Sequence, residues 1–171
     1  MYFDSLPNLM YDPVGNGNPM LVTNILKRAA FRVNMKKELV LLQKYDVADG
    51  ETPEIVADKH HGSTFYHWVV LIVNGISDVY HDWPKSTRQM QTYLSDKYTE
   101  AQLNEAHHYE IPQTSGDTTV MIEVENTTYP SATAVSNITY EMELNEGKRR
   151  IELLRNEYLG FFVSEFEAIM R

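Results

Sequence analysis

Six histidines scattered among acidic residues make metal chemistry the first possibility to weigh. His60-His61 and His107-His108 are adjacent pairs, and neighbours in sequence point to different faces of a strand or helix. Neither pair forms the i,i+4 arrangement of a His-Glu-x-x-His zinc site. His67 lies seven residues beyond His60, across a helix break expected at Gly62. These side chains read as surface or hydrogen-bonded histidines. Nucleophilic catalysis fares no better, because Ser63, Ser77, Ser86, Ser115 and Ser164 all sit where a cap, turn or helix accounts for them. There is no Gly-x-Gly-x-x-Gly or phosphate loop. The absence of cysteine removes disulfides, thiolate ligands and thiol nucleophiles together. Paired carboxylates stay open at this level, since their work depends on a tertiary distance. The reading is a non-enzyme with no cofactor, no catalytic residue and no metal.

Composition narrows the partners. The chain has 171 residues, 43% of them apolar, which suits one domain with arms and is enough for a core. Its formal charge of −9 repels phosphate, so nucleic acid and anionic membrane are excluded as partners. The one basic run, Lys148-Arg149-Arg150, is flanked by Glu146 and Glu152. The segment Met1 to Pro7 lacks the charged and apolar regions of a signal peptide, and no run of about 18 apolar residues could span a bilayer. A cytosol-made protein is expected.

The elements follow from local chemistry. Residues 1–20 carry Pro7, Pro13, Pro19, Gly15 and Gly17 among large apolar groups, which predicts an extended arm that docks on something. Thr23 is read as the cap of a helix reaching Phe31, and Glu38 to Val47 as a strand. Thr52-Pro53-Glu54 starts a helix with a hydroxyl cap, a proline at the first position and a carboxylate at the positive dipole end. Ser63 then caps a helix over Thr64 to Val73 that is apolar on two stripes, Phe65, Trp68, Val69 and Ile72 against Tyr66, Val70 and Val73, hence buried between layers. Ser86 and Gln89 form a capping box opening a helix to about Tyr98. His107 to Ile111 and Val120 to Val124 flank a turn-rich loop and predict a hairpin, with a further loop at Tyr129 to Thr133. Ile138 to Gly147 reads as a helix and Arg150 to Leu153 as a strand, after which Asn156 caps an amphipathic helix.

Tyr45-Asp46-Val47, the Gly50-Glu51-Thr52 turn, Ile55-Val56-Ala57, Gly62, and Trp68 to Asn74-Gly75-Ile76 together resemble a lysin-motif (LysM) repeat. The closing strand that such repeats place soon after the asparagine is missing; Trp83-Pro84 and the capping box follow instead. With the Thr23-Asn24-Ile25-Leu26 segment, Tyr66 to Leu71, and the tail from Tyr140-Glu141 through Lys148 to Leu154 and Phe162 to Phe166, the whole chain is similar to the LysM-like base plate wedge subunit of T-even-type contractile-tailed phages, the gene-product-53 class of myoviruses. The resemblance implies an α+β fold. Its LysM-like βααβ core would carry an extended N-terminal arm, an inserted helix and β-hairpin, and a C-terminal amphipathic helix. The segments would be 1–36 for the arm and a short helix, 37–80 for the core, 81–137 for the insert and 138–171 for a helix-strand-helix tail.

By that resemblance the protein is a structural component of the virion, made in the host cytoplasm and built into the tail base plate. It would join neighbouring wedges and help assemble the ring around the hub. Its partners would be other wedge core proteins, a sheath-initiator-like wedge protein and the central hub. The candidate contact residues are Tyr2, Phe3, Leu6, Leu9 and Tyr11 in the arm, with Leu159, Phe162, Phe166 and Met170 on the last helix. The alternative is a LysM module that binds peptidoglycan, an N-acetylglucosamine polymer. Its groove loops would hold Asp49, Gly50, Glu51 and Thr52 on one side, and Asn74, Gly75, Ile76, Ser77 and Asp78 on the other. Two structural expectations complete the reading. Trp68 is buried, and Arg150 to Leu154 supplies the missing closing strand by pairing with Lys44 to Val47, since a lone strand leaves its backbone groups unpaired.

Overall fold

The structure is a computed structural model that describes residues 6–27 and 41–170. It is a mixed α+β fold with several small antiparallel sheets, and its chain divides into two units. The first unit combines residues up to Trp83 with those from Arg150 onward; the second is Pro84–Arg149.

In the first unit, β1 (Asn8–Tyr11) and β2 (Met20–Thr23) form an antiparallel hairpin in which Leu9 faces Val22 and Met10 faces Leu21. The segment read as a docking arm is therefore a hairpin. Thr23 ends its second strand instead of capping a helix, and its hydroxyl bonds Asn8 Oδ1 across the pair at 3.4 Å. Of the helix expected from Thr23 to Phe31, residues 24–27 form a turn, and the part beyond Lys27 lies outside the described residues, as do the start of the strand expected from Glu38, Tyr2 and Phe3. Asp12 organises the hairpin tip by accepting from the amides of Gly15 and Gly17 at 2.7 and 2.8 Å and of Val14 at 3.2 Å. These donors, Gly17 foremost, hold its carboxyl below the ordinary value.

The core of this unit is built on β3 (Leu42–Asp46), α1 (Pro53–His61), α2 (His67–Asn74) and β7 (Arg150–Leu154). β3 and β7 pair antiparallel with Tyr45 opposite Ile151 and Leu42 opposite Leu154, which is the closure the unpaired strand demands. α1 starts as expected, with the Thr52 hydroxyl accepting from the Ile55 amide at 3.4 Å, and stops at Gly62 in the left-handed region. α2 begins later than Ser63 suggests. A 3-10 turn over Thr64–Tyr66 comes first, and it leaves Phe65 59% exposed, off the buried stripe.

α2 lies between two apolar clusters. On one side Trp68, Val69 and Val73 pack with Leu6, Leu42, Leu154, Phe166 and Met170; on the other, Val70 packs with Val47, Val56, Ala57, Trp83, Ile151 and Leu153. α7 (Asn156–Met170) covers the first cluster, stacking Phe162 and Phe166 on the Trp68 indole at centroid distances of 6.0 and 4.5 Å.

β7 has a second edge, and helix side chains cover it. Asn74 at the end of α2 accepts from the Glu152 amide at 2.9 Å and donates to the Glu152 carbonyl at 2.8 Å, as a neighbouring strand would. His60 Nε2 meets the Leu154 carbonyl at 3.0 Å. Asn156, read as a cap, is instead the first residue of α7, and its amide donates to the His60 carbonyl at 2.7 Å.

The second unit contains α4 (Thr87–Lys97), opened by the expected Ser86–Gln89 capping box, with Met90 and Leu94 buried. Two one-turn helices went unread, α3 (Val79–Asp82) in the first unit and α5 (Glu100–Leu103) in the second. β4 (Ala106–Pro112) and β5 (Met121–Val124) form the expected hairpin. The loop placed at Tyr129 to Thr133 gives way to β6 (Thr133–Ser136), which pairs with the other edge of β4. Ser136 caps α6 (Asn137–Gly147), so this helix and β7, read together as one tail segment, fall in different units. The Asn145 carboxamide accepts from the Lys85 amide at 2.7 Å and donates to the Lys85 carbonyl at 3.0 Å, holding the start of the unit to its end.

Trp68→Ala removes the side chain between α2 and α7 and is expected to cost roughly 3–5 kcal/mol. Asn74→Ala leaves the Glu152 amide and carbonyl without their partner and is expected to cost about 1–3 kcal/mol. Trp68 and Trp83 are the chain's two tryptophans and both belong to the first unit, so a urea titration followed by tryptophan fluorescence reads Asn74→Ala in that unit alone. For Trp68→Ala, Trp83 serves as the reporter. A midpoint unchanged within the fit error would contradict the packing described.

Candidate interaction surfaces

The two loops proposed for glycan contact are structured by the chain's own groups. Ala48 and Glu51 close the first loop on itself. The Glu51 amide donates to the Ala48 carbonyl at 3.2 Å, and the Ala48 amide donates to Glu51 Oε2 at 2.7 Å. Gly50 takes a positive φ of 77° that allows this turn. The Glu51 carboxylate is buried, and beyond the Ala48 amide it accepts from the Tyr45 hydroxyl at 3.0 Å and from the Lys59 ammonium. Burial by itself would raise its pKa, but those donors win and hold it below the ordinary value. A carboxylate kept ionised by three donors is a structural anchor and a poor general acid. Thr52 caps α1, and Asp49 and Gly50 are exposed.

In the second loop Gly75 ends α2 with φ 70°, and the Ile76 amide returns to the Leu71 carbonyl at 2.9 Å. Asp78 caps α3 through the amides of Tyr80 and His81 and meets His81 Nδ1 at 2.6 Å; Ser77 is exposed. Trp83 ties the two loops together. Its buried indole N–H donates to the Glu51 carbonyl at 2.7 Å, and Ile76 packs in the same cluster.

The candidate contact residues divide sharply. Leu6 is buried in the first unit's own core, as are Phe166 and Met170. Leu159 and Phe162 pack against that core while keeping part of their surface. The terminal stripe is thus a core element, and the expectation that Phe166 and Met170 face a partner is corrected. Leu9 is half-buried and Tyr11 is 54% exposed on the hairpin.

The histidines have structural partners. Besides His60, His61 meets Asn156 Oδ1 at 2.7 Å and His67 meets the Thr64 carbonyl at 3.0 Å. His107 sits where the β4–β6 register shifts, stacks on Tyr140 at 3.8 Å, and reaches His108, which meets Glu110 at 2.8 Å. Among the described residues no three acid or histidine side chains gather as metal ligands. The sequence reading missed Glu141, buried in the second unit and accepting from the hydroxyls of Tyr98 at 3.0 Å and Tyr93 at 3.3 Å and from the Lys97 ammonium. Its carboxyl too would be raised by burial but is held low by Lys97, Tyr98 and Tyr93. The signal was faint: Tyr93, Lys97 and Tyr98 cluster on one turn, with nothing to say which acid they meet.

Both depressed carboxyls carry the same sign of linkage. Their stabilisation is present above the unfolded carboxylate pKa, near 4.5, and is lost as pH falls through the lower folded value. Glu51→Gln should therefore flatten the acid limb of tryptophan-detected unfolding, and Glu141→Gln that of unfolding followed by amide exchange in α4, which lies in the second unit. Urea midpoints measured from pH 3 to 7 decide it; an acid limb as steep as the parent's would refute the assignment.

No curated protein matches this chain. The family model of base plate wedge protein 53 matches residues 2–131, well over half of the chain, a span holding the β1–β2 hairpin, β3, α1, α2, α4 and the β4–β5 hairpin. Among the described residues no helix is long and apolar enough to cross a membrane. The chain belongs to the base plate wedge protein 53 family.

Proposed function

We propose that this base plate wedge protein is a non-catalytic structural subunit of a contractile phage tail, joining neighbouring wedges and helping them close into a ring around the hub. The observation that carries this reading is the family match over residues 2–131. The order β3–α1–α2–β7 supports reading the first unit as LysM-like, with Pro84–Arg149 inserted ahead of the closing strand. Its partners on this reading are the other wedge core proteins, a sheath-initiator-like wedge protein and the hub, in the virion of a T-even-type myovirus. The loop geometry speaks against the peptidoglycan reading. The backbone of the loop at Glu51 already receives the Trp83 indole, and the Glu51 carboxylate is fully engaged.

Reconstitution tests the role. In an extract holding every other tail protein, wedges without this chain should stay separate, and adding the purified chain should yield closed rings by negative-stain electron microscopy. Rings forming equally fast without it would sink the proposal. Co-sedimentation with insoluble peptidoglycan should leave the chain in the supernatant.

A further inference from the structure

We propose that the β1–β2 hairpin is an apolar plug that enters an uncharged cleft on a neighbouring base plate wedge protein. This rests on the wedge reading above and names the contact through which it acts.

A two-stranded hairpin is marginal in water unless its faces are covered. Among the described residues only the base is covered, where Leu6 joins the core and Leu9 and its partner Val22 are half-buried. The distal half projects with both faces apolar. Met10 (61% exposed) opposes Leu21 (65%) on one face, and Tyr11 (54%) opposes Met20 (57%) on the other. The turn that follows adds Ile25 (68%) and Leu26 (85%), and Lys27 fixes that turn to the end of α7 by donating to the Met170 carbonyl at 2.9 Å.

Together these six residues leave on the order of 700 Å² exposed, divided between the two faces and the turn, which is close to one partner's share of a standard interface. Because opposite faces are both exposed, a flat surface would cover only one of them; a cleft covers both. From Asn8 to Leu26 the sole charged residue is Asp12, and its carboxylate is occupied by the amides of the tip. The tip is consequently preorganised, which lowers the ordering cost of docking. A second copy is the poorer occupant, since each chain carries −9 and two copies repel.

The test uses the full chain co-expressed with the other wedge proteins of its phage. Met10→Ser with Leu21→Ser alters exposed positions only, so the urea midpoint should hold while incorporation into wedges falls at least tenfold. A folded double variant that incorporates like the parent overturns the proposal. Should the variant misfold, a photo-crosslinker placed at Leu21 in the parent decides instead: an adduct with another wedge protein supports the plug, whereas an adduct with a second copy, or none, overturns it. Failure of the parent itself to join wedges would defeat the wedge reading as well, and is seen before any variant is compared.

Discussion

A single strand with nowhere to pair is the constraint from which the first unit follows. β3 lies between the undescribed segment 28–40 and the first core helix, and the helices that follow it offer side chains but no ladder. β7 pairs with it from about a hundred residues downstream, and this one pairing brings Ile151, Leu153 and Leu154 under α2 and delivers α7 onto Trp68. Without β7, both apolar clusters lose members and Trp68 loses its cover. The insert is tolerated because its two crossings fall at Trp83–Pro84 and Arg149–Arg150, outside the paired strands.

Carboxamides and carboxylates finish what the small sheets leave undone. A two-stranded sheet exposes two edges, and an uncovered edge invites pairing with another chain. Asn74 and His60 occupy the outer edge of β7. Buried Glu51 gathers the Lys59 ammonium and the Tyr45 hydroxyl, and buried Glu141 the Lys97 ammonium and the hydroxyls of Tyr93 and Tyr98, so that neither carboxylate is buried without donors. These are hydrogen-bonded anchors in a protein whose small core could not exclude water by area alone. Apolar side chains still exposed occur in both units, among them Met10 and Leu21 on the hairpin, Phe65 and Phe161 elsewhere in the first unit, and Met121 and Met142 in the second.

Much of this was legible in the residues. Thr52-Pro53 and Ser86 through Gln89 announced their helices, because capping is a local matter of a few side chains and amides. The closing strand was legible from need: alternation at Arg150 to Leu154 and an unpaired partner at Lys44. What could not be read depends on distant contacts. Thr23 has cap chemistry, yet cross-strand pairing with Asn8 overrode it. The loop read at Tyr129 to Thr133 ends one residue sooner, because Thr133 to Ser136, for which no strand was expected, pair with the free edge of β4. The amphipathic stripe of α7 signalled burial without saying against what, and Trp68 turned out to be the answer. Trp83 reaching the Glu51 carbonyl left no trace in spacing at all.

The Asn145 clasp on Lys85 also bears on how the molecule comes to fold. Bringing β3 to β7 through a flexible loop of some hundred residues carries an entropic cost that grows with the logarithm of loop length. Pro84–Arg149 holds its own helices and three-stranded sheet, and once these form, the clasp fixes the two ends of that stretch within hydrogen-bonding distance. The flexible span left to close then shrinks to roughly the residues between Asp46 and Pro84, a reduction of about 1 kcal/mol by the same logarithm. An insert that held its ends together before β3 met β7 would thus shorten the search that completes the core around it.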